Sequence, residues 1–164
     1  MFREMRRKNQ LLPDAESEAI LRDCSDGVLA VNGDEGYPYA VPLNYVWDDG
    51  KIYFHCAKVG HKLDAIRSSD KVSFTVIASD EVDAESLSTR YRSVIVFGRA
   101  KILEDSEEIR RAALLLGLKY NPDRAKVERE IEAEMAALCC VEITPEHITG
   151  KEALSFLQER KKNG

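Results

Sequence analysis

The fold is decided by residues 37–57, YPYAVPLNYVWDDGKIYFHCA. Asp49-Gly50 stands between two aromatic-rich runs, a strong signal for a two-residue hairpin turn. Before the turn, Tyr37, Tyr39, Val41, Leu43, Tyr45 and Trp47 alternate onto one bulky face. Pro38, Ala40, Pro42 and Asn44 form the other, small or polar one. Pro42 has no N–H and cannot complete a ladder, so this is an edge strand or an irregular stretch. Its free backbone near Asn44 could bond something flat, or the proline could simply blunt an edge against aggregation. After the turn, Ile52, Phe54 and Cys56 share the core side, and Lys51, Tyr53 and His55 point the other way. A surface histidine is the plain reading of His55, but it leads directly into Gly60-His61-Lys62.

Outward from this hairpin the chain keeps the same grain. Residues 11–27 read as a short helix capped by Asp14, with Gly27 beyond its end. Asn32-Gly33 marks a turn between strands. Residues 61–69, HKLDAIRSS, read as a two-turn helix, and 71–79 as a strand with Val72, Phe74 and Val76 on one face. The polar run 80–89 reads as a loop. Residues 91–105 read as a long strand with a bulge at Gly98. Two helices follow. Asp105 caps the first, with Glu108 as a reciprocal partner; it stops at Asn121-Pro122, and the second carries Val127, Ile131 and Met135 at helical spacing. Residues 138–152 form a last strand. This is a mainly β protein with added helices, an antiparallel barrel or sandwich in one domain spanning 1–164. It has an N-terminal arm (1–12), a helical insertion (105–137) and a charged tail (155–164). Regular strand–helix alternation and a Gly-rich dinucleotide fingerprint are both missing.

The long strand is apolar on both faces: Val94, Val96, Ala100 and Ile102 on one, Tyr91, Ser93, Ile95 and Phe97 on the other. A small barrel has one inside, so the outer face needs a helix or a second protomer over it, and a homodimer is expected.

The chain has 164 residues, 44% hydrophobic and 32% charged, which fits a folded soluble domain. A net charge of -5 speaks against nucleic acid as a partner. No apolar run suits a membrane helix, and the basic start MFREMRRKNQ lacks the apolar core of a secretory signal, so a cytoplasmic location is expected. Cys24, Cys56, Cys139 and Cys140 show no paired metal spacing, and adjacent Cys139 and Cys140 face opposite sides of a strand, so four reduced thiols are expected. Three histidines without an H-E-x-x-H pattern give no metal site.

Residues 55–62 gather donors where a helix begins. The first N–H groups of a helix lack internal partners and the helix dipole adds partial positive charge. Gly60 permits close approach, and His61 and Lys62 add donors. Arg92 can grip a phosphate in bidentate fashion and Ser93 can donate a hydroxyl. Solvated surface charges explain Lys62 and Arg92 equally well from spacing alone.

MRRK, YPYAVPLNYVW with DGKIYFHCAKVGHKLDAIR, YRSVIVFGRAKILED and ITGKE, in this order, resemble the 5-nitroimidazole resistance (Nim-like) branch of the pyridoxamine 5'-phosphate oxidase-like, FMN-binding split-barrel proteins. YFHCAKVGHKLDAI is the most specific segment and 105–137 the least diagnostic. The resemblance implies a six-stranded, Greek-key antiparallel split β-barrel, dimeric, with FMN at the interface. Val41, Pro42, Leu43, Asn44 and Tyr45 would lie along the isoalloxazine ring. His55, Cys56 and Ala57 would line the ring and ribityl chain, and Gly60, His61 and Lys62 would hold the phosphate. Arg92 and Ser93 would join from the same or the partner chain, and Lys151 would approach the ring edge. His55 would stand nearest a small aromatic or nitro-aromatic acceptor, as the catalytic residue of an FMN-dependent oxidoreductase. The further basic residues of true pyridoxamine phosphate oxidases are missing. A non-catalytic flavin- or haem-binding role is the alternative, and a deazaflavin in place of FMN stays open.

Overall fold

The computed structural model describes residues 1–163. Its helices are α1 (Asp14–Asp23), α2 (His61–Ser68), α3 (Ser106–Tyr120), α4 (Arg124–Glu134) and α5 (Leu154–Asn163). Its strands are β1 (Asp26–Asn32), β2 (Pro38–Asn44), β3 (Val46–Asp48), β4 (Lys51–Ala57), β5 (Lys71–Asp83), β6 (Ser88–Ile102) and β7 (Leu138–Glu152). They form one seven-stranded sheet in the order β2-β1-β5-β6-β7-β4-β3, antiparallel throughout.

The outermost strands, β2 and β3, are consecutive in sequence and separated only by Tyr45. One residue spans a few ångströms, so the sheet curls until its two edges meet end to end there. No ladder joins β2 to β3, so the sheet is not closed and has seven strands where six are expected. The alternation predicted through 37–47 breaks at this point, since Tyr45 and Val46 are both buried and Tyr37 is exposed. A carbonyl at such a break has no ladder partner and must be satisfied otherwise. Lys119 Nζ, 3.0 Å away, and the Tyr120 hydroxyl, 2.8 Å away, both donate to Tyr45 O. The C-terminal end of α3 thus staples the break.

Asp49 and Gly50 have φ of 48° and 74° in the two-residue β3–β4 turn, as the mirror-image hairpin geometry requires. Pro42 lies on the edge strand β2, where its missing N–H costs no ladder bond. A register shift between Phe97 and Gly98 marks the expected bulge.

Inside the curl pack Leu29, Phe54, Phe74, Val94, Val96, Val141 and Ile143. A second apolar cluster lies outside it, where α3 and α4 cover β4 and β7. Tyr53 points away from the barrel interior, as expected, and is buried in this cluster with Cys140, Leu116 and Ile131. Cys139 and Cys140 fall in the two different clusters, and all four cysteines are free.

Three local expectations change. Residues 80–89 are mostly ladder, with β5 and β6 paired out to Asp83 and Ser88; backbone pairing continues there beyond the core, leaving polar side chains on both faces. Pro13 is the N-cap of α1, and Asp14 is its first helical residue. Asp105 does cap α3, accepting from Glu107 N and Glu108 N at 2.9 and 3.0 Å. Glu108 does not reciprocate and pairs with Lys101 at 3.3 Å. The charged tail forms α5, whose Phe156 lies under Arg90 and Arg92.

Candidate functional site

β4 delivers His55, Cys56 and Ala57 to the end of the barrel, and Lys58–Gly60 carry the chain into α2. Leu63, Ala65 and Ile66 are buried, which fixes the orientation of α2. Gly60 is its N-cap with φ of 138°, a conformation that L side chains rarely adopt. Gly60 O accepts Leu63 N at 3.0 Å and Asp64 N at 3.2 Å. The preceding N–H groups, of His61 and Lys62, have no acceptor within the helix. Nothing lies within 4 Å of where a Gly60 Cβ would stand, so this helix start is open to a ligand. Lys62 is half-buried, and among the described residues no ion pair or side-chain hydrogen bond holds it. His61 is turned away toward the β1–β2 loop. Its ring stacks on Tyr39 at 4.2 Å, and Nε2 lies 3.6 Å from Asp34 Oδ2.

At the end of β4 lies a cavity of about 570 Å³ between that strand and the α3–α4 hairpin. Asn44, His55, Cys56 and Ala57 form one wall; Leu116, Val127 and Ile131 stand among the residues opposite. The His55 side chain is exposed. The other residues of 41–45 stand elsewhere. Val41 and Leu43 pack on the barrel core, Tyr45 is buried and Pro42 is exposed on the edge. Asn44 Nδ2 donates to Ser25 O at 3.2 Å. The helical wall was not legible as part of a site, because its apolar stripe looks like any core-facing stripe. Gly117 is the one signal: an added Cβ would overlap Val127 Cγ1, so α3 and α4 touch there.

Electrostatics set the wall's chemistry. Burial, and secondarily Cys139, push the Cys56 thiol up to about 11, while Lys62 opposes them. Burial pushes Cys140 up to about 12. Both stay protonated near neutrality.

Arg92, Ser93 and Lys151 do not join this group within one chain. Ser93 pairs with Lys151, and Arg92 with Glu152, along β6–β7. His55 lies opposite Cys140 of the same β7, eleven residues before Lys151. Arg92 Nη2 lies 3.2 Å from Glu152 Oε2, and the guanidinium stacks 4.3 Å above the Phe156 ring. Its Nε is buried without a hydrogen-bond partner. Lys151 Nζ lies 5.2 Å from the Tyr91 ring. His147 is occupied with Phe2, stacked at 4.8 Å, and with Thr149 Oγ1 at 2.9 Å from Nε2. Among the described residues no group of three or more His, Cys, Asp or Glu could hold a metal ion. No helix among them is long and apolar enough to cross a membrane.

A curled, open antiparallel sheet with helices packed on its outer face defines a mainly β protein with added helices. The chain belongs to the pyridoxamine 5'-phosphate oxidase family, whose pattern it matches over residues 13–152. Solved structures agree on the fold. A conserved hypothetical protein of Mycobacterium tuberculosis superposes with a TM-score of 0.78 at 22% identity, covering 91% of this chain and 90% of that one. A candidate 5-nitroimidazole antibiotic resistance protein of Bacteroides thetaiotaomicron gives 0.72 at 21% identity, covering 86% and 85%. An FAD-binding protein of Mesorhizobium loti gives 0.60 at 26% identity, covering 88% and 97%. No curated protein matches the sequence significantly.

Proposed function

We propose that this chain is an FMN-dependent oxidoreductase of the nitroimidazole-reductase type, passing electrons from reduced flavin to a small aromatic or nitro-aromatic acceptor. One observation carries the reading: Asn44, His55, Cys56 and Ala57 share a cavity wall, and three residues beyond Ala57 the chain reaches an open helix start, at Gly60, bearing an uncommitted lysine. That donor set fits a phosphate joined to a flat group. Two free N–H groups and the Lys62 ammonium supply charge-assisted donors, and no carboxylate competes for Lys62 among the described residues.

Bound FMN would supply a two-electron carrier; the chain would hold and orient it. Gly60, His61 and Lys62 would bind the phosphate through backbone N–H groups and the ammonium. Asn44, Cys56 and Ala57 would flank the ring. Leu116, Val127 and Ile131 of α3 and α4 would offer the ring an apolar surface, with Lys126, Glu130 and Glu134 also lining the cavity. His55 presents an imidazole to that space and can hydrogen-bond to an acceptor or pass it a proton.

The same proposal includes a homodimer. Ile77, Ile95 and Phe97 are 60%, 39% and 41% exposed on the outer face of β5 and β6, more apolar surface than a strand leaves to water without reason. A second copy covering it would allow Arg92, Ser93 and Lys151 to serve the partner's site.

Stopped-flow reoxidation tests the activity. FMN-loaded protein, reduced anaerobically, is expected to reoxidise on mixing with a nitro-aromatic acceptor. His55→Ala should slow that step about 10²-fold, the low end for a general acid, in protein kept saturated with FMN. Reoxidation that is no faster than that of free reduced FMN would refute the reading.

A further inference from the structure

The two thiols at positions 56 and 139 stand in a relation that flavin binding does not require. Cys56 of β4 and Cys139 of β7 are direct cross-strand partners in an antiparallel ladder. Directly opposed residues put their side chains on one face, with Cα atoms about 4.5–5.5 Å apart. A disulfide needs Cα atoms about 4.4–6.8 Å apart, so the backbone already satisfies it. Their exposures differ: Cys56 is half-buried and lines the cavity beside His55, whereas Cys139 is buried in the barrel core. The other cysteines lack this relation. Cys140 lies opposite His55 and faces α3, where Ile109 O accepts from its thiol at 3.7 Å. Cys24, at the end of α1, is in no strand.

We infer that Cys56 and Cys139 are a hydroperoxide-oxidisable pair, Cys56 being the thiol attacked and Cys139 the one that resolves it into a reversible disulfide. The Cys56 thiolate attacks the hydroperoxide. An S–O bond forms, the O–O bond breaks, and the departing alkoxide or hydroxide takes a proton, leaving Cys56 as a sulfenic acid. The Cys139 sulfur then attacks the Cys56 sulfur. An S–S bond forms, the S–O bond breaks, and the departing hydroxide leaves as water with the Cys139 proton. Two thiols are oxidised and one hydroperoxide is reduced. The consequence is protective: a lone thiol on this wall would proceed to sulfinic acid, whereas a thiol with a partner in register stops at a reducible stage. Lys62 and Arg67 favour the Cys56 thiolate and burial opposes it more strongly, so oxidation is slow at neutral pH.

The test is intact-mass and peptide mass spectrometry of the full chain after treatment with hydrogen peroxide, and it is independent of the flavin reading. The wild-type protein should lose about 2 Da, carry a 56–139 cross-link, and regain its mass with a dithiol reductant. Cys139→Ala should instead gain about 32 Da on Cys56, irreversibly. The wild-type rate should rise about tenfold per pH unit below the thiol pKa. A wild-type cross-link through Cys24 or Cys140, or a wild-type gain of about 32 Da on Cys56, would overturn the proposal. So would a Cys139→Ala protein that still loses about 2 Da.

Discussion

Lys62 is the residue on which the proposed phosphate site depends most. A charge-assisted hydrogen bond contributes about 1.5–3 kcal/mol, so Lys62→Ala should weaken FMN binding by about 10- to 150-fold in a fluorescence titration, with unchanged Tm of the apoprotein. Unaltered affinity would place the phosphate elsewhere. Glu142 carries a separate prediction. Burial raises its pKa, but hydrogen bonds from Lys51, at 2.9 Å, and Tyr53 outweigh it, leaving the carboxyl below its ordinary 4.5. A depressed folded pKa adds stability above the unfolded value and loses it as pH falls through the folded one. Glu142→Gln should therefore flatten the loss of Tm between about pH 5 and pH 3. His55 and Lys62 were legible in the sequence because strand alternation and a helix start are local facts. Tyr53 and Arg92 were not. The cover over Tyr53 comes from helices more than fifty residues downstream, and Arg92 is held by Glu152 and Phe156 near the other end of the chain.

Among the elements, the α3–α4 hairpin has the largest share in shaping the cavity. Gly117→Leu forces bulk against Val127 and should cost about 1–3 kcal/mol, read as a lower midpoint in urea. A Gly117→Leu protein as stable as the wild type would mean the helices do not meet there. Asp105→Ala deletes the cap of α3 and should cost about 0.5–2 kcal/mol by the same measurement. The cap, the Asp49-Gly50 turn and the bulge at Gly98 could all be read beforehand, since each depends on two or three neighbouring residues. The break at Tyr45 could not. Alternation runs through it unchanged in sequence, and the change of face is enforced by Lys119 and Tyr120, two side chains from α3. Strand count fails for the same reason: one expected strand becomes two at opposite edges of the sheet.

At the scale of the whole molecule, the proposed second copy would account both for the exposed face at Ile77, Ile95 and Phe97 and for the separation of Arg92 from Lys62. Light scattering should give twice 18.5 kDa at micromolar concentration, and replacing both Ile95 and Phe97 by Glu should return the mass to that of one chain. A wild-type monomer would remove Arg92, Ser93 and Lys151 from the site. Composition anticipated a folded domain and the hairpin pattern its β class, whereas a dimer face is suggested in sequence only where a strand is apolar on both sides, a pattern that a covering helix explains as well. Flavin binding underlies both the proposed activity and the proposed site. Titrating FMN with the purified apoprotein tests it most directly. Flavin fluorescence should change saturably, at one FMN per chain, with a rise in Tm; fluorescence identical to free FMN at every protein concentration, with no shift in Tm, would contradict it.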